Sequence, residues 1–157
     1  MVLLAAIVFA LDRAMKVWAY DRLRALPGGT RPLWENVLHL TYASNEGISF
    51  SMLSGNKELL IIIGAVICVL IAAALIAWGK RNPGIRALGW IMLGGALGNL
   101  YDRIRFGFVI DMFEIRLFRF AIFNVADVFL CVGAALIALT LLFAPSGSTS
   151  STKGRTR

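Results

Sequence analysis

Four apolar blocks alternate with polar stretches along this chain. Residues 59–79 and 123–144 are apolar almost throughout, whereas charged and polar side chains interrupt the apolar background of residues 2–19 and 86–103. A helix that crosses a membrane needs about 20 mainly apolar residues. The pattern therefore predicts four membrane-spanning helices over these ranges.

The connections between the blocks have a different pattern. Residues 31–53 are rich in β-branched and aromatic side chains with some alternation, which is typical of strands and predicts a small β element at the membrane surface. Residues 106–123 also alternate apolar and polar positions, so a similar element is expected there. The Ser/Thr-rich, basic tail, residues 146–157, is expected to be disordered.

Together these patterns predict a mainly α-helical membrane protein. Residues 1–145 form one domain of four transmembrane helices, with a small extracytoplasmic β element between helices 1 and 2. The tail after it is expected in the cytoplasm.

Composition supports membrane insertion and gives an orientation. Of 157 residues, 59% are hydrophobic, and the mean hydropathy is +0.76. The net charge of +7 is spread between apolar blocks and forms no single face, so we expect contact with the lipid bilayer and no nucleic-acid partner. Basic residues concentrate in the connection 79–86 and in the tail, and the positive-inside rule then places both termini in the cytoplasm.

Acidic residues occur where a membrane protein should avoid them. Four of the nine, Asp12, Asp102, Asp111 and Asp127, lie in or beside the predicted spans. A charge at the bilayer centre costs about 2.5 to 3.5 kcal/mol on insertion scales, so such residues usually face the protein interior and have a function. Asn124 shares a helix face with Asp127, and both belong to the outer end of their helix.

Structural interpretations account for part of this set. Asp12 and Lys16 have the spacing of a helix salt bridge, and Asp102 beside Arg103 is consistent with a neutralised pair. We favour structural roles for these two pairs. Asp111 and Asp127 have no adjacent cation, and for them structure and function stay equally open.

The available residue types restrict the chemistry. His39 is the single histidine, and neither an HExxH motif nor a Cys/His cluster is present, so we expect no metal and no cofactor. Two aspartates close together in a partly dry site share a proton, so that one activates water as a base and the other protonates the leaving group. Such a pair hydrolyses amides.

Four motifs in this order resemble those of the lipoprotein signal peptidase (signal peptidase II) family. They are LDRAMK at 11–16, NEGISF at 45–50, GGALGNLYDR continuing to GFVIDMFEI at 94–115, and FNVADVFLCVG at 123–133. The family consists of four-span aspartyl proteases of the bacterial inner membrane. They remove signal peptides from diacylglyceryl-modified prolipoproteins, cutting just before the lipidated cysteine, at a site near the outer face.

The resemblance implies roles for individual residues. It places the catalytic pair on Asp111 and Asp127. Positions that line or support the site would be Asp12, Lys16, Asn45, Gly47, Gly95, Asn99, Asp102, Arg103, Asn124 and Ala126. The chain departs from the family pattern at Arg13, Ala14, Met15 and Ser49, none of which is an aspartate.

Two other functions stay open at this point. A small proton- or ion-coupled transporter would also keep carboxylates among its helices. A purely structural membrane subunit would leave Asp111 and Asp127 unexplained. For the protease we expect a monomer that acts on prolipoprotein substrates.

Overall fold

The computed structural model describes residues 1–47, 55–79 and 82–143. Within these ranges the chain forms four α-helices: α1 Val2–Trp18, α2 Lys57–Trp78, α3 Pro83–Phe106 and α4 Val125–Leu142. Each predicted block coincides with one helix, and no boundary differs by more than three residues. The predicted tail 146–157 and Ser49 lie outside the described residues.

Capping residues explain where α3 begins and ends. The side chain of Asn82 accepts hydrogen bonds from the backbone N–H groups of Gly84 and Ile85, and Pro83 occupies the first turn. Gly107 ends the helix in the left-handed conformation, with φ 89°. The apolar pattern alone had placed both ends of this helix three residues too far inward.

Two of the four helices are long and apolar enough to cross a membrane on their own composition. The mean hydropathy reaches 3.3 for α2 and 2.4 for α4. The helices α1 and α3 carry the charged residues noted above and do not meet this criterion in the described ranges. Spanning by all four helices therefore remains a prediction.

A three-stranded antiparallel sheet lies at one end of the helices. Its strands are β1 Thr30–Trp34, β2 Leu38–Asn45 and β3 Val109–Ile115, in the order β1-β2-β3. The sheet confirms the β element predicted between the first two helices, and β3 confirms the similar element expected in residues 106–123. In β2 and β3 the register pairs Asn45 with Val109 and Ala43 with Asp111.

Apolar residues fix the sheet against the end of α1. One face of β2 and β3 packs on the short π-helix Ala19–Leu23, which continues α1. The buried core of this contact consists of Ala19, Leu23, Leu40, Ile110 and Met112. The sheet is thereby held in a defined position relative to the helices.

The central helix is α3, which packs along α1, α2 and α4. Small residues allow the close approach: a Cβ atom on Gly94 would lie 2.5 Å from the carbonyl oxygen of Ala5 and 2.9 Å from its Cα atom. Backbone cannot move aside as a flexible side chain can, so this position requires glycine.

We expect Gly94→Ala to lower the thermal stability of the protein in detergent, since the added methyl group forces α1 and α3 apart. Overpacking of this kind costs about 1 to 3 kcal/mol. The control is Gly64→Ala on α2, where the atom nearest to the added Cβ atom is Cδ1 of the Leu100 side chain, at 3.2 Å. A melting temperature of Gly94→Ala equal to or above that of Gly64→Ala would contradict the close approach.

Candidate active site

The first turn of α4 is closed by a reciprocal pair of hydrogen bonds. Asn124 caps the helix: its side-chain oxygen accepts from the backbone N–H of Asp127 at 3.0 Å. The Asp127 Oδ2 atom in turn accepts from the backbone N–H of Asn124 at 3.1 Å. This capping box gives a structural reason for the spacing of the two residues.

The second carboxylate oxygen of Asp127 takes no part in the cap and binds a residue of α3. Its Oδ1 atom accepts a hydrogen bond from Asn99 Nδ2 at 2.7 Å. The carboxylate is therefore oriented from two sides, by the backbone of its own helix and by an amide from the neighbouring one.

Asp111 approaches the same turn of α4 from strand β3. It is 2% exposed, and its Oδ1 atom accepts from Asn124 Nδ2 at 2.6 Å. Its Oδ2 atom accepts from Asn45 Nδ2, on the neighbouring strand β2, at 2.9 Å. Asn124 thus contacts both carboxylates, bringing together the two aspartates that lack an adjacent cation in the sequence.

Behind this pair lies a buried cluster of charges. The Lys16 ammonium is fully buried and lies 2.9 Å from Asp12 Oδ2 and 3.0 Å from Asp102 Oδ2. It also donates to Asn99 Oδ1 at 2.8 Å. Because this bond occupies the Asn99 oxygen, the amide nitrogen of Asn99 is directed at Asp127. The predicted ion pair of Asp12 with Lys16 is confirmed.

The suggested pairing of Asp102 with Arg103 is wrong. Asp102 is bound by Arg13 and Lys16 from α1, and its Oδ2 atom accepts from the backbone N–H of Ile110 at 3.3 Å. Adjacent residues of a helix point in different directions, and Arg103 instead donates to the carbonyl oxygen of Gly47 at 3.2 Å. Sequence reasoning noted Arg13 only as a departure from a family pattern and missed its contact.

Small residues bring the backbones of α3 and α4 together at the site. Ala126 is fully buried, and its N–H donates to Asp12 Oδ1 at 3.1 Å. A Cβ atom on Gly95 would lie 2.9 Å from the Ala126 carbonyl oxygen, and one on Gly98 would collide with the Asp12 carboxylate. Gly98 was not singled out from the sequence, although its spacing of three from Gly95 places both on one side of α3.

The paired carboxylates open onto a cavity of about 520 Å³ between α3, α4 and β3. Five polar residues contribute to its wall: Asn45, Asn99, Arg103, Asp111 and Asp127. The rest of the wall is mainly apolar and comes from β3, from the connection 120–123 and from one face of α4 that includes Val128 and Cys131. A cavity with a few convergent polar groups and apolar walls is typical of a binding site.

Electrostatics distinguish Asp111 from an ordinary aspartate. Its burial, together with the charge of the nearby Asp127, raises the pKa of the Asp111 carboxyl to about 7. Hydrogen bonds from Asn45 and Asn124 act in the opposite direction, since they stabilise the ionised form. Near neutral pH the Asp111 carboxyl can therefore hold a proton, as the acid in catalysis by two carboxyls requires.

Within residues 1–47, 55–79 and 82–143, no three His, Cys, Asp or Glu side chains come close enough together to hold a metal ion. His39 lies on β2, where its Nδ1 atom is 3.4 Å from the Thr30 hydroxyl.

Comparison with known proteins gives consistent results. The family model described as signal peptidase (SPase) II matches residues 4–143. A lipoprotein signal peptidase of Clostridioides difficile (strain 630) is 37% identical over 149 residues, covering 94% of this chain and 97% of that protein. One from Lactococcus lactis subsp. lactis (strain IL1403) is 38% identical over 132 residues, covering 83% of this chain and 85% of that protein.

A solved structure has the same fold. It is described as a bacterial membrane enzyme, superposes with a TM-score of 0.81 and is 27% identical, covering 99% of this chain and 92% of that one. A second bacterial membrane enzyme has a TM-score of 0.77 and 28% identity.

We expect Asn45→Ala to raise the pKa of Asp111 above about 7, because the lost amide hydrogen bond had favoured the ionised carboxylate. Infrared spectroscopy of the purified protein measures this pKa from the C=O stretch of the protonated carboxyl as pH is varied. Asn56→Ala is the matched control, since the exposed Asn56 side chain makes no capping hydrogen bond. An unchanged or lower pKa of Asp111 in Asn45→Ala would show that the Asn45 hydrogen bond does not favour the ionised carboxylate.

Proposed function

This chain belongs to the signal peptidase II family and is therefore a protease of lipoprotein processing, and we propose that it is a membrane aspartic endopeptidase. Its substrates are bacterial prolipoproteins that carry a diacylglyceryl group, and it cuts just before the lipidated cysteine. The observation that carries the proposal is the contact of Asn124 with both Asp111 and Asp127 at the wall of one cavity.

The proposed mechanism gives each aspartate a separate task. Asp127 acts as the base: hydrogen bonds from Asn99 and from the backbone of Asn124 hold its carboxylate at the wall of the cavity. It takes a proton from water as the oxygen attacks the scissile carbonyl carbon. Asp111, with its raised pKa, holds the proton that passes to the leaving nitrogen.

The wall of the cavity supports a lipidated peptide as substrate. The buried Nε atom of Arg103 has no hydrogen-bond partner in the described part of the chain, and a peptide carbonyl oxygen would supply one. The apolar residues along α4 provide surface for a signal sequence or an acyl chain. Asn45, Gly47, Asn99, Asn124 and Ala126 act as site support in this proposal, as do Asp12, Lys16, Gly95 and Asp102.

The proposed setting is the bacterial inner membrane, crossed by all four helices of a monomer. The hydropathy of α2 and α4 supports insertion. Hydrogen bonds join the sheet to the end of α3 and to the start of α4. The two aspartates therefore lie at one end of the helices. The basic residues of the sequence at the other end favour cytoplasmic termini and a site near the outer face.

The position of the carboxylates argues against the transporter. Asp111 is on a strand beyond the helices and Asp127 is in the first turn of α4, whereas transporter sites lie near the middle of the membrane. A structural subunit would not need a carboxyl whose pKa lies near 7 at the wall of a cavity.

We expect Asp111→Asn and Asp127→Asn each to lower the cleavage rate of a diacylglyceryl prolipopeptide by a factor on the order of 10³ or more, since each removes a proton-transfer group. The rate is measured in detergent, with the melting temperature as a check on folding. The control is Asp21→Asn, an exposed aspartate of the π-helix, which should cleave like the wild type. Cleavage by either site variant at the wild-type rate would overturn the assignment. So would a wild-type protein that conducts ions across liposomes but does not cleave the prolipopeptide.

The pH profile should follow the proton on Asp111. The required form is the protonated one, and it is lost as pH rises through the pKa of about 7. We therefore expect kcat/KM to fall above about pH 7, with an apparent pKa that belongs to the coupled pair. A profile that continues to rise above pH 8 would contradict the role of Asp111 as the acid.

A further inference from the structure

A second cavity lies at the end of the helices remote from the sheet. It encloses about 450 Å³ between the end of α2, the start of α3 and the end of α4, and its wall is almost entirely apolar. Its wall includes Ile71, Ala74, Leu75 and Trp78 of α2, Ile85 and Met92 of α3, and Ile137 and Leu141 of α4. Met92, in this wall, precedes Asn99 by seven residues on α3, or about 10 Å of helix. The cavity is therefore separate from the aspartates.

The side chain of Arg86 lies beside this cavity. Arg86 follows the lining residue Ile85, and its Cγ atom packs near Gly79, another lining residue. The Nε atom of Arg86 is buried and has no hydrogen-bond partner within residues 1–47, 55–79 and 82–143. Among the residues that the structure describes, no carboxylate forms an ion pair with Arg86. A buried donor without an acceptor is costly, so a hydrogen-bond acceptor from outside the described residues would be favourable here.

The charge of this region indicates what that acceptor is. The connection between α2 and α3 also contains Lys80 and Arg81 in its sequence, and it has no acidic residue between Gly79 and Arg86. The start of a signal peptide is positively charged and would be repelled here. Anionic phospholipids are attracted, and basic pockets between membrane helices on the cytoplasmic side bind their headgroups.

We propose that this cavity is a binding site for an anionic glycerophospholipid. An acyl chain fills the apolar space between α2, α3 and α4, and the phosphate accepts hydrogen bonds from Arg86. Trp78 is 57% exposed at the end of α2, and an exposed tryptophan at the end of a membrane helix suits the headgroup region. The site does not depend on the proteolytic function, because it shares no lining residue with the other cavity.

Native mass spectrometry of the full chain in nonionic detergent tests this site. We expect the protein to retain one dioleoyl-phosphatidylglycerol more tightly than dioleoyl-phosphatidylcholine. Arg86→Gln should weaken phosphatidylglycerol binding about fivefold, the effect of roughly one charge near an anionic lipid. Arg86→Lys should stay within about twofold of the wild type, and so should Arg119→Gln, which removes an exposed charge from the sheet end.

Cavity filling supplies an independent measurement. Ala74→Trp occupies the space and should abolish the retained lipid, whereas Ala73→Trp, on an exposed part of α2, should not. If Ala74→Trp fails to fold, the comparison of Arg86→Gln with Arg86→Lys decides. Equal retention of both lipids, or wild-type affinity in Arg86→Gln, would overturn the proposal. Displacement of the lipid by a synthetic prolipoprotein signal peptide would also overturn it, because the cavity would then belong to the substrate helix.

Discussion

The rest of the structure depends on the ion pairs of the buried Lys16 ammonium with Asp12 and Asp102. A charge inside a protein needs compensation, because the desolvation penalty of an unpaired ion amounts to several kcal/mol. Lys16 and Arg13 provide two positive charges, and Asp12 and Asp102 provide two negative ones, so the cluster is neutral. It joins α1 to α3 by ion pairs.

The same cluster also positions the aspartate pair, Asp111 and Asp127. Asp12 binds the backbone of α4 through Ala126, and Asp102 binds that of β3 through Ile110. Lys16 fixes the orientation of Asn99, which then faces Asp127. Four elements are positioned from one neutral group of charges, so the aspartates can be held rigidly although one lies on a strand and the other on a helix.

The sequence predicted helices well and contacts less well. Runs such as residues 59–79 are apolar over their whole length, and no other element suits such a pattern. Alternation predicted a β element in each of the two connections, but the pairing of β2 with β3 joins residues more than sixty positions apart, and no local pattern encodes that. The pairing of Asp102 with Arg13 depends on how α1 lies against α3, which spacing within one helix cannot reveal.

The sequence did single out Asp111 and Asp127, because neither has a cation beside it along the chain. In the structure both aspartates form hydrogen bonds with Asn124.

The capping box at the start of α4 has a consequence for evolution. A helix start of this type accepts Glu or Gln at the third position as readily as it accepts Asp, so capping alone would permit drift at residue 127. The amide of Asn99, however, meets the carboxylate of Asp127 at 2.7 Å, and a side chain one methylene longer would move that group away. The cap therefore tolerates more residues at position 127 than the contact with Asn99 does, and this contact sets the stricter limit on substitution.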